Sequence, residues 1–291
     1  MESIELPGGR QLAYAVWGDV AGFPVFALHG TPGCRLNRYP DEQRLSAAGV
    51  RLITYDRPGY GRSDRHLGRG VVSCVEDVEA VADAVGADRF AVSGSSGGGP
   101  HALAIAARMP DRVSRARCLV SLAPYGVPGL DWFAGMDPEN VKEFGWALAG
   151  EDELHRQLTR EAAEMVARVA VDPAKALGDD WELAESDQIV LASPLVQRVM
   201  REAVPEAVAQ GVWGWVDDDL AFLRPWGFEL TEISVPVEIR YGVQDVLVPA
   251  QHGRWLGENV PTASVVVEAG EGHLTDPATV LDLLRSLTAP A

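Results

Sequence analysis

The sequence is poor in cysteine and in basic residues. Its three cysteines, Cys34, Cys74 and Cys118, are scattered, odd in number and without metal-ligand spacing, which excludes a disulfide framework and a cysteine metal site. Lysine and arginine number 25 against 42 aspartates and glutamates, for a formal net charge of −17. Because an acidic surface repels phosphate backbones and anionic lipid, we expect neither nucleic acid nor a membrane as a partner.

Long apolar runs are missing as well. No stretch of about 18 apolar residues predicts a membrane span. Residues 1–7 lack the basic start and apolar stretch of a secretion signal. Hydrophobic residues nevertheless make up 47% of the chain, which is enough for a sizeable core. We therefore expect a folded, cytoplasmic protein.

Two parts of the chain alternate short β-branched runs with helical stretches, which predicts a mainly parallel sheet with helices on both faces. Eight strands are predicted, at 4–6, 11–17, 24–28, 51–55, 89–93, 115–122, 237–241 and 264–268. Helices are predicted at 42–48, 74–85, 100–108, 249–257 and 277–287. The first two strands, joined by Gly8 and Gly9, are expected to form an antiparallel hairpin at one edge.

The stretch between these two parts has a different pattern. Strand signals vanish over residues 126–225, and helical periodicity appears at 151–171 and 193–209. We therefore predict a core of residues 1–125 and 226–291 that carries a helical cap, or lid, of residues 126–225; this middle stretch is called the insertion below.

The insertion is rich in tryptophan: five of the chain's eight tryptophans lie in it, and a sixth, Trp226, stands at its end. We take Trp213, Trp215 and the preceding Tyr125 as candidates for an apolar substrate pocket, although most of the tryptophans are expected simply to hold the cap together. The acidic run 217–219 is interpreted as a solvated face or a helix cap. No histidine accompanies it, so no metal site is predicted.

A serine motif marks the best candidate for chemistry. Residues 94–98 read G-S-S-G-G, directly after an apolar strand and before a stretch of helix formers. A serine on such a tight turn exposes its hydroxyl and lies near a helix N-terminus. Ser96 has glycine two residues away on each side, as a strained turn requires, whereas Ser95 in the shifted register does not. Ser96 is therefore the preferred nucleophile.

A serine nucleophile needs a base and an orienting carboxylate, which follow the serine in the order Asp or Glu, then His, on a scaffold of this type. Of six histidines, His273 lies in a glycine-rich loop directly after the last strand. Asp245 follows the preceding strand and is the preferred carboxylate, with Glu268 second. Asp276 comes after the histidine, on the wrong side for this order.

The negative oxygen of a tetrahedral intermediate needs amide donors. The residue after the nucleophile, Gly97, supplies one, and the loop after the third strand should supply the second. Pro32 in that loop has no N–H, so Thr31 is the best candidate, with Gly33 as the alternative. His29 in the same loop is expected to hydrogen-bond backbone and fix the loop's shape.

Together these motifs resemble the α/β-hydrolase superfamily over nearly the whole chain. The match comprises His29-Gly30, the run DRPGYGRSD at 56–64, the Ser96 turn, Asp245 and His273. Two features depart from the common pattern: the oxyanion loop reads T-P-G instead of a glycine run, and Gly97 stands where larger residues are frequent. The run at 56–64 mostly shapes a turn beside the oxyanion loop in such families.

The resemblance implies the α/β-hydrolase fold and a cofactor-free serine hydrolase with a Ser96–His273–Asp245 triad. By this resemblance, the protein is expected to cleave a small to medium, largely apolar ester, lactone or thioester through an acyl-enzyme. Alternatives that the fold leaves open are a C–C bond hydrolase or lyase, an acyltransferase, and a non-catalytic small-molecule receptor. The expected partner is a small-molecule substrate, and the expected state is a monomer or homodimer.

Overall fold

The computed structural model describes residues 2–178 and 181–289, and an eight-stranded sheet forms its centre. The strands are β1 Glu2–Glu5, β2 Gln11–Gly18, β3 Phe23–Leu28, β4 Val50–Tyr55, β5 Phe90–Ser95, β6 Val113–Leu119, β7 Val237–Gly242 and β8 Ala263–Glu268. Their order across the sheet is β1-β2-β4-β3-β5-β6-β7-β8. The strand β2 is antiparallel to both of its neighbours, and β3 to β8 run parallel. The predicted fold class and edge hairpin are confirmed.

The strand boundaries agree with the sequence to within a few residues, except at the end of β6. That strand was predicted to reach residue 122 but ends at Leu119. The next residue, Val120, has a φ of +45°, which breaks the extended conformation of a strand. The chain turns away from the sheet at this point and continues towards the insertion.

Ten α-helices are described in residues 2–178 and 181–289. They are α1 Glu42–Ala47, α2 Cys74–Ala84, α3 Gly98–Arg108, α4 Pro138–Ala149, α5 Glu151–Val171, α6 Glu185–Ala192, α7 Pro194–Ala207, α8 Trp213–Phe222, α9 Ala250–Asn259 and α10 Pro277–Leu287. None of the helices described here is both long and apolar enough to span a bilayer.

An apolar layer lies on each face of the sheet, because successive residues of a strand point to opposite faces. On one face, Phe26 and Ile53 pack with residues of α2 and α3 such as Leu103. On the other face, Val25 packs with residues of α1 and α10 such as Leu284. Strands covered on both faces read as the continuous apolar runs seen in the sequence.

The insertion lies between β6 and β7 and contributes α4 to α8. Helix α5 shows why periodicity could be recognised here: its buried residues recur every three or four positions, at Leu154, Leu158, Ala162, Met165 and Val169. Helix α8 has no polar stripe, since nearly all of its residues are buried. Its amphipathic signal is therefore absent, and α8 was not predicted.

The acidic run in α8 corrects one interpretation. Asp217, Asp218 and Asp219 are only 6%, 0% and 1% exposed, so the interpretation as a solvated face or helix cap was wrong. Buried carboxylates are costly unless they are paired or protonated. Asp217 and Asp218 are paired with arginines of the core, Arg65 and Arg69 respectively.

Two glycines bring the backbone of the insertion against the core segment 56–64. A Cβ added to Gly59, where φ is +88°, would lie 2.7 Å from the backbone nitrogen of Gly214 in α8. A Cβ added to Gly214 would lie 2.6 Å from the ring of Tyr60. Neither position has space for a side chain, so the two segments touch backbone to backbone.

Candidate active site

The serine lies where β5 turns into α3. Strand β5 ends at Ser95, and Ser96 has a φ of +53°, a conformation that L-residues rarely adopt. The chain reverses so tightly that a Cβ on Gly94 would lie 2.1 Å from the carbonyl oxygen of Gly98. The geometry therefore favours Ser96 over Ser95 as the residue at the turn, and explains the glycines on both sides of it.

The histidine and its carboxylate meet at the carboxyl ends of β7 and β8. His273 Nδ1 lies 2.8 Å from Asp245 Oδ2. The other oxygen of Asp245 accepts hydrogen bonds from the backbone N–H groups of Leu247 and Val248, both at 2.8 Å. One carboxylate thus caps the turn that follows it and orients the imidazole, and these two roles do not compete.

The other carboxylates near the histidine are engaged elsewhere. Glu268 forms an ion pair with Arg240. Asp276 accepts from the backbone of Ala278 and Thr279 at the start of α10. The structure therefore brings together Asp245, and not Glu268, with the His273 imidazole.

The environment of His273 favours its protonated form. Burial by itself lowers the pKa of this imidazole, but the charge of Asp245 and its hydrogen bond, with a further contribution from Asp187, raise it overall. A carboxylate in this position stabilises the imidazolium that forms when a base takes a proton from serine.

Asp187, in α6 of the insertion, is a residue that the sequence did not point to. Its carboxylate accepts from the backbone N–H groups of His273, at 3.0 Å, and Leu274, at 2.7 Å. A Cβ on Gly272 would lie 2.3 Å from the carboxylate, so glycine permits this close approach. Asp187 is fully buried and holds the loop that carries the histidine. No motif distinguishes it from the other acidic residues of the insertion.

The two predicted oxyanion residues lie close to each other. A Cβ on Gly97 would lie 2.3 Å from Thr31 Oγ1. Among the described residues, none accepts a hydrogen bond from the backbone N–H of Thr31 or Gly97. The Thr31 hydroxyl instead donates to Asp218 of α8 at 2.6 Å. Gly33, the alternative donor, packs against the ring of His29.

His29 has the backbone contacts expected of a structural residue. Its Nδ1 lies 2.8 Å from the carbonyl oxygen of Gly30, and its Nε2 accepts from the N–H of Arg57. Burial and the neighbouring charge of Arg57 place its pKa well below the usual range, so the ring is neutral. These contacts fix the shape of the loop that carries Thr31.

Ser96, Thr31 and His273 all line one cavity of about 450 Å³. The insertion covers it mainly with apolar side chains of α7, namely Leu195, Val196, Val199, Met200, Ala203, Val204 and Ala207. Among the described lining residues, Arg38 has the one permanently charged side chain. Its guanidinium lies 3.9 Å above the ring of Trp17.

The three aromatic residues expected in the pocket lie elsewhere. Tyr125 packs edge-on against Trp132, and Trp213 stacks on His155 at 4.0 Å. Trp215 donates its indole N–H to Glu143 at 2.8 Å. None of these three residues is among the described residues that line the cavity. They form packing contacts of the insertion, and α7 supplies the apolar lining.

The site contains no evident ion-binding cluster. Within 2–178 and 181–289, no group of three or more histidine, cysteine or carboxylate side chains is arranged to hold a metal ion. The described residues at this cavity offer a hydroxyl, an imidazole paired with a carboxylate, and two backbone N–H groups that have no acceptor among the described residues.

This arrangement on this fold agrees with the comparisons with known proteins. The family model for the alpha/beta hydrolase fold matches residues 24–275, and the chain belongs to this family. A 2-hydroxy-6-oxononadienedioate/2-hydroxy-6-oxononatrienedioate hydrolase from Cupriavidus pinatubonensis is 29% identical over 86% of this chain and 80% of its own. A proline iminopeptidase from Xylella fastidiosa is 28% identical over 91% and 87%.

A solved structure shares the same fold. A thermophilic esterase from Thermogutta terrifontis superposes with a TM-score of 0.69 over 98% of this chain and 97% of its own, at 21% identity. The two curated relatives above are named for different hydrolytic activities, so membership of the family does not decide which bond this chain cleaves.

Proposed function

We propose that this protein is a serine hydrolase that cleaves a small to medium, largely apolar ester through an acyl-enzyme. The observation that carries the proposal is the placement of Ser96 and His273 in one apolar cavity, with His273 hydrogen-bonded to Asp245. A serine at this position forms an ester with the substrate's acyl group, and the resulting intermediate needs only water to complete hydrolysis.

In the first half of the reaction, Ser96 Oγ attacks the substrate carbonyl while His273 Nε2 takes the hydroxyl proton. The N–H groups of Thr31 and Gly97 donate to the oxygen that becomes negative. The carbon–oxygen bond of the ester then breaks, and His273 gives its proton to the departing alcohol. In the second half, His273 takes a proton from water while the water oxygen adds to the acyl carbon. The bond between that carbon and Ser96 Oγ then breaks, His273 returns the proton to Oγ, and the carboxylic acid leaves.

The lining of the cavity supports an apolar substrate. Helix α7 contributes aliphatic side chains and Met200, and Leu247 and Leu274 line the side near His273. A volume of about 450 Å³ suits a substrate of moderate size and lies within the range typical of small-molecule sites. Lactones and thioesters react by the same steps and fall within this proposal.

The test is hydrolysis of p-nitrophenyl butyrate combined with labelling by a fluorophosphonate. The Ser96→Ala variant should lose about 10⁴–10⁶ of kcat and all labelling. Ser95→Ala, which tests the shifted register, should lose at most about tenfold, because this side chain only borders the cavity. An active Ser96→Ala enzyme, or labelling at Ser95, would overturn the assignment.

A second candidate is hydrolysis of a carbon–carbon bond by the same residues. The first five curated relatives are named as hydrolases of 2-hydroxy-6-oxo dioates, and a dioate has two carboxylates. Arg38 is the described cationic side chain at this cavity that could pair with one of them. Turnover of a 2-hydroxy-6-oxo dioate with a kcat/KM well above that of p-nitrophenyl butyrate, and its loss in Arg38→Met, would favour this candidate.

A further inference from the structure

We infer that Asp218, on helix α8 of the insertion, is a positioning residue that sets the geometry of the oxyanion hole. The inference rests on the proposed function, because it assigns the amides of Thr31 and Gly97 to a reacting oxygen. Asp218 itself does not line the cavity among the described residues, so it acts through the loop that it holds.

The carboxylate of Asp218 is fully buried and receives several donors. Its Oδ2 accepts from Thr31 Oγ1 and Arg57 Nη2, both at 2.6 Å, and from the hydroxyl of Tyr60 at 2.9 Å. Its Oδ1 lies 2.7 Å from Arg69 Nη1. Burial opposes ionisation, but the two arginines hold the pKa of this carboxyl well below its usual range, so it is charged.

Arg57, which pairs with Asp218, also binds the backbone of the loop that contains Thr31. Arg57 donates from Nη1 to the carbonyl oxygen of His29 and from Nη2 to that of Gly30, the latter at 2.9 Å. These two carbonyls immediately precede Thr31 in the chain. The Asp218–Arg57 pair therefore holds the loop at three consecutive residues, twice through backbone and once through the Thr31 hydroxyl.

The other donor residue, Gly97, is held by His101. The Nδ1 of His101 lies 2.8 Å from the carbonyl oxygen of Gly97, and its Nε2 lies 4.0 Å from Asp218 Oδ1. Burial, together with the charge of Arg57, lowers the pKa of His101 to about 3, so the ring is neutral and Nδ1–H donates to Gly97. His101 thus holds the Gly97 side of the oxyanion hole, and its Nε2 has no hydrogen-bond partner among the described residues, whereas Asp218 holds the Thr31 side.

This arrangement matters for rate because amide donors stabilise the transition state only when they are fixed in advance. A peptide plane that rotates, or a loop that moves by about 1 Å, costs up to about a hundredfold in rate without removing any reacting group. Binding of the apolar parts of the substrate depends on α7 and should change little. Loss of the Asp218 contacts should therefore lower kcat far more than it raises KM.

A purely structural explanation is that Asp218 only ties the insertion to the core. The neighbouring residue provides a matched control for this explanation. Asp217 lies on the same helix and makes a two-point ion pair with the core residue Arg65, at 2.8 and 2.9 Å, without contacting residues 29–31. Asp217→Asn removes the charge from a tie between α8 and the core and leaves the oxyanion loop untouched.

The experiment compares the Asp218→Asn and Asp217→Asn variants in hydrolysis of p-nitrophenyl butyrate, with thermal unfolding measured in parallel. We expect Asp218→Asn to lose about 30–100-fold in kcat, with KM within threefold of wild type. Asp217→Asn should keep kcat within threefold. Affinity for a trifluoromethyl ketone, which forms a tetrahedral adduct, should fall in proportion to kcat/KM for Asp218→Asn only.

A second pair of variants keeps the test decisive if Asp218→Asn does not fold. Thr31→Val retains the backbone N–H and the Asp218–Arg57 pair but removes the hydroxyl link, and should lose about tenfold in kcat. Thr31→Ser restores the hydroxyl and should recover most of that loss.

The outcomes separate the inference from the function on which it rests. A wild-type protein that neither hydrolyses the ester nor reacts with a fluorophosphonate contradicts the proposed function. An active wild type in which Asp218→Asn and Asp217→Asn lose equal activity, or in which Thr31→Val equals Thr31→Ser, contradicts the positioning role alone.

Discussion

The core and the insertion contribute to the candidate site in different ways. The core presents Ser96, Asp245 and His273 at the ends of parallel strands, where such a sheet commonly holds its ligands. The insertion supplies the apolar lining from α7 and two buried carboxylates, Asp187 and Asp218, that hold the loops of the core. The comparison teaches that the candidate triad lies wholly in the core, whereas the groups that position its loops come from both parts of the chain.

The largest expected effect tests the core. Asp245→Asn should lower kcat by about 10⁴, because an amide cannot hold the imidazole in the tautomer that accepts the serine proton. The measurement is ester hydrolysis at saturating substrate. Glu268→Gln is the control, since Glu268 pairs with Arg240 and not with His273. Equal losses in the two variants would show that the wrong carboxylate has been assigned to the triad.

The next effect tests which side chains of the insertion meet the substrate. Val199→Trp fills part of the cavity below α7. It should lower kcat/KM for p-nitrophenyl hexanoate by about tenfold or more and leave kcat/KM for p-nitrophenyl acetate unchanged. Trp213→Leu removes a tryptophan that stacks on His155 outside the described lining. Its chain-length profile should match the wild type. If the chain-length profile changed in Trp213→Leu and not in Val199→Trp, the substrate would contact the tryptophans instead of α7.

A smaller effect links the two regions through pH. The wild-type kcat/KM should fall as the pH drops through the raised pKa of His273, above the ordinary value of 6.5, because the protonated ring cannot act as a base. Asp187→Asn removes a nearby negative charge, so the pKa of His273 falls. The decrease of kcat/KM on acidification should then occur at a lower pH than in the wild type. The loosened loop should also cost about tenfold in kcat.

The control for Asp187→Asn is Asp276→Asn, a nearby carboxylate that caps α10 and does not contact the His273 loop through a described hydrogen bond. Its pH profile should coincide with that of the wild type. If the two variants give the same profile, Asp187 has no electrostatic influence on the imidazole.

The smallest effect concerns the insertion alone. Burial raises the pKa of Glu143 to about 7, and the hydrogen-bonded neighbour Asp219 is shifted upward as well, so the folded pair retains a proton that the unfolded chain has lost. The contribution of this proton to the free energy of unfolding is therefore fully present below the ordinary carboxyl pKa, and it is lost as the pH rises through 7. Between pH 5 and 8 we expect the Tm to fall by about 3 °C, as about 1 kcal/mol would produce.

Glu143→Gln tests this decline, because an amide keeps a hydrogen bond to Asp219 without sharing its charge. The Tm of this variant should change less between pH 5 and 8 than that of the wild type. If the Tm of this variant fell with pH as steeply as that of the wild type, the Glu143–Asp219 pair would not be the group that titrates.

Sequence reasoning reached the fold and pointed to Ser96, Asp245 and His273, whose roles remain predictions, because these signals are local. Strand runs, the glycines around Ser96 and the loop of His273 each depend on a few adjacent residues and on a known chain order. It did not reach Asp187 or the role of Asp218, since a buried acid and a solvated acid look alike in a sequence. It also misplaced Trp213 and Trp215 relative to the cavity, because residue type does not tell which face of a helix turns inward.

The contact between Gly59 and Gly214 has a consequence for exchange of parts between relatives. A foreign insertion with any side chain at the position of Gly214 would collide with Tyr60, and a host with a side chain at position 59 would collide with α8. Residues 56–64 and α8 are therefore expected to be inherited from one parent when relatives recombine. A productive chimera of two family members needs its crossover points placed so that residues 56–64 and α8 descend from the same parent.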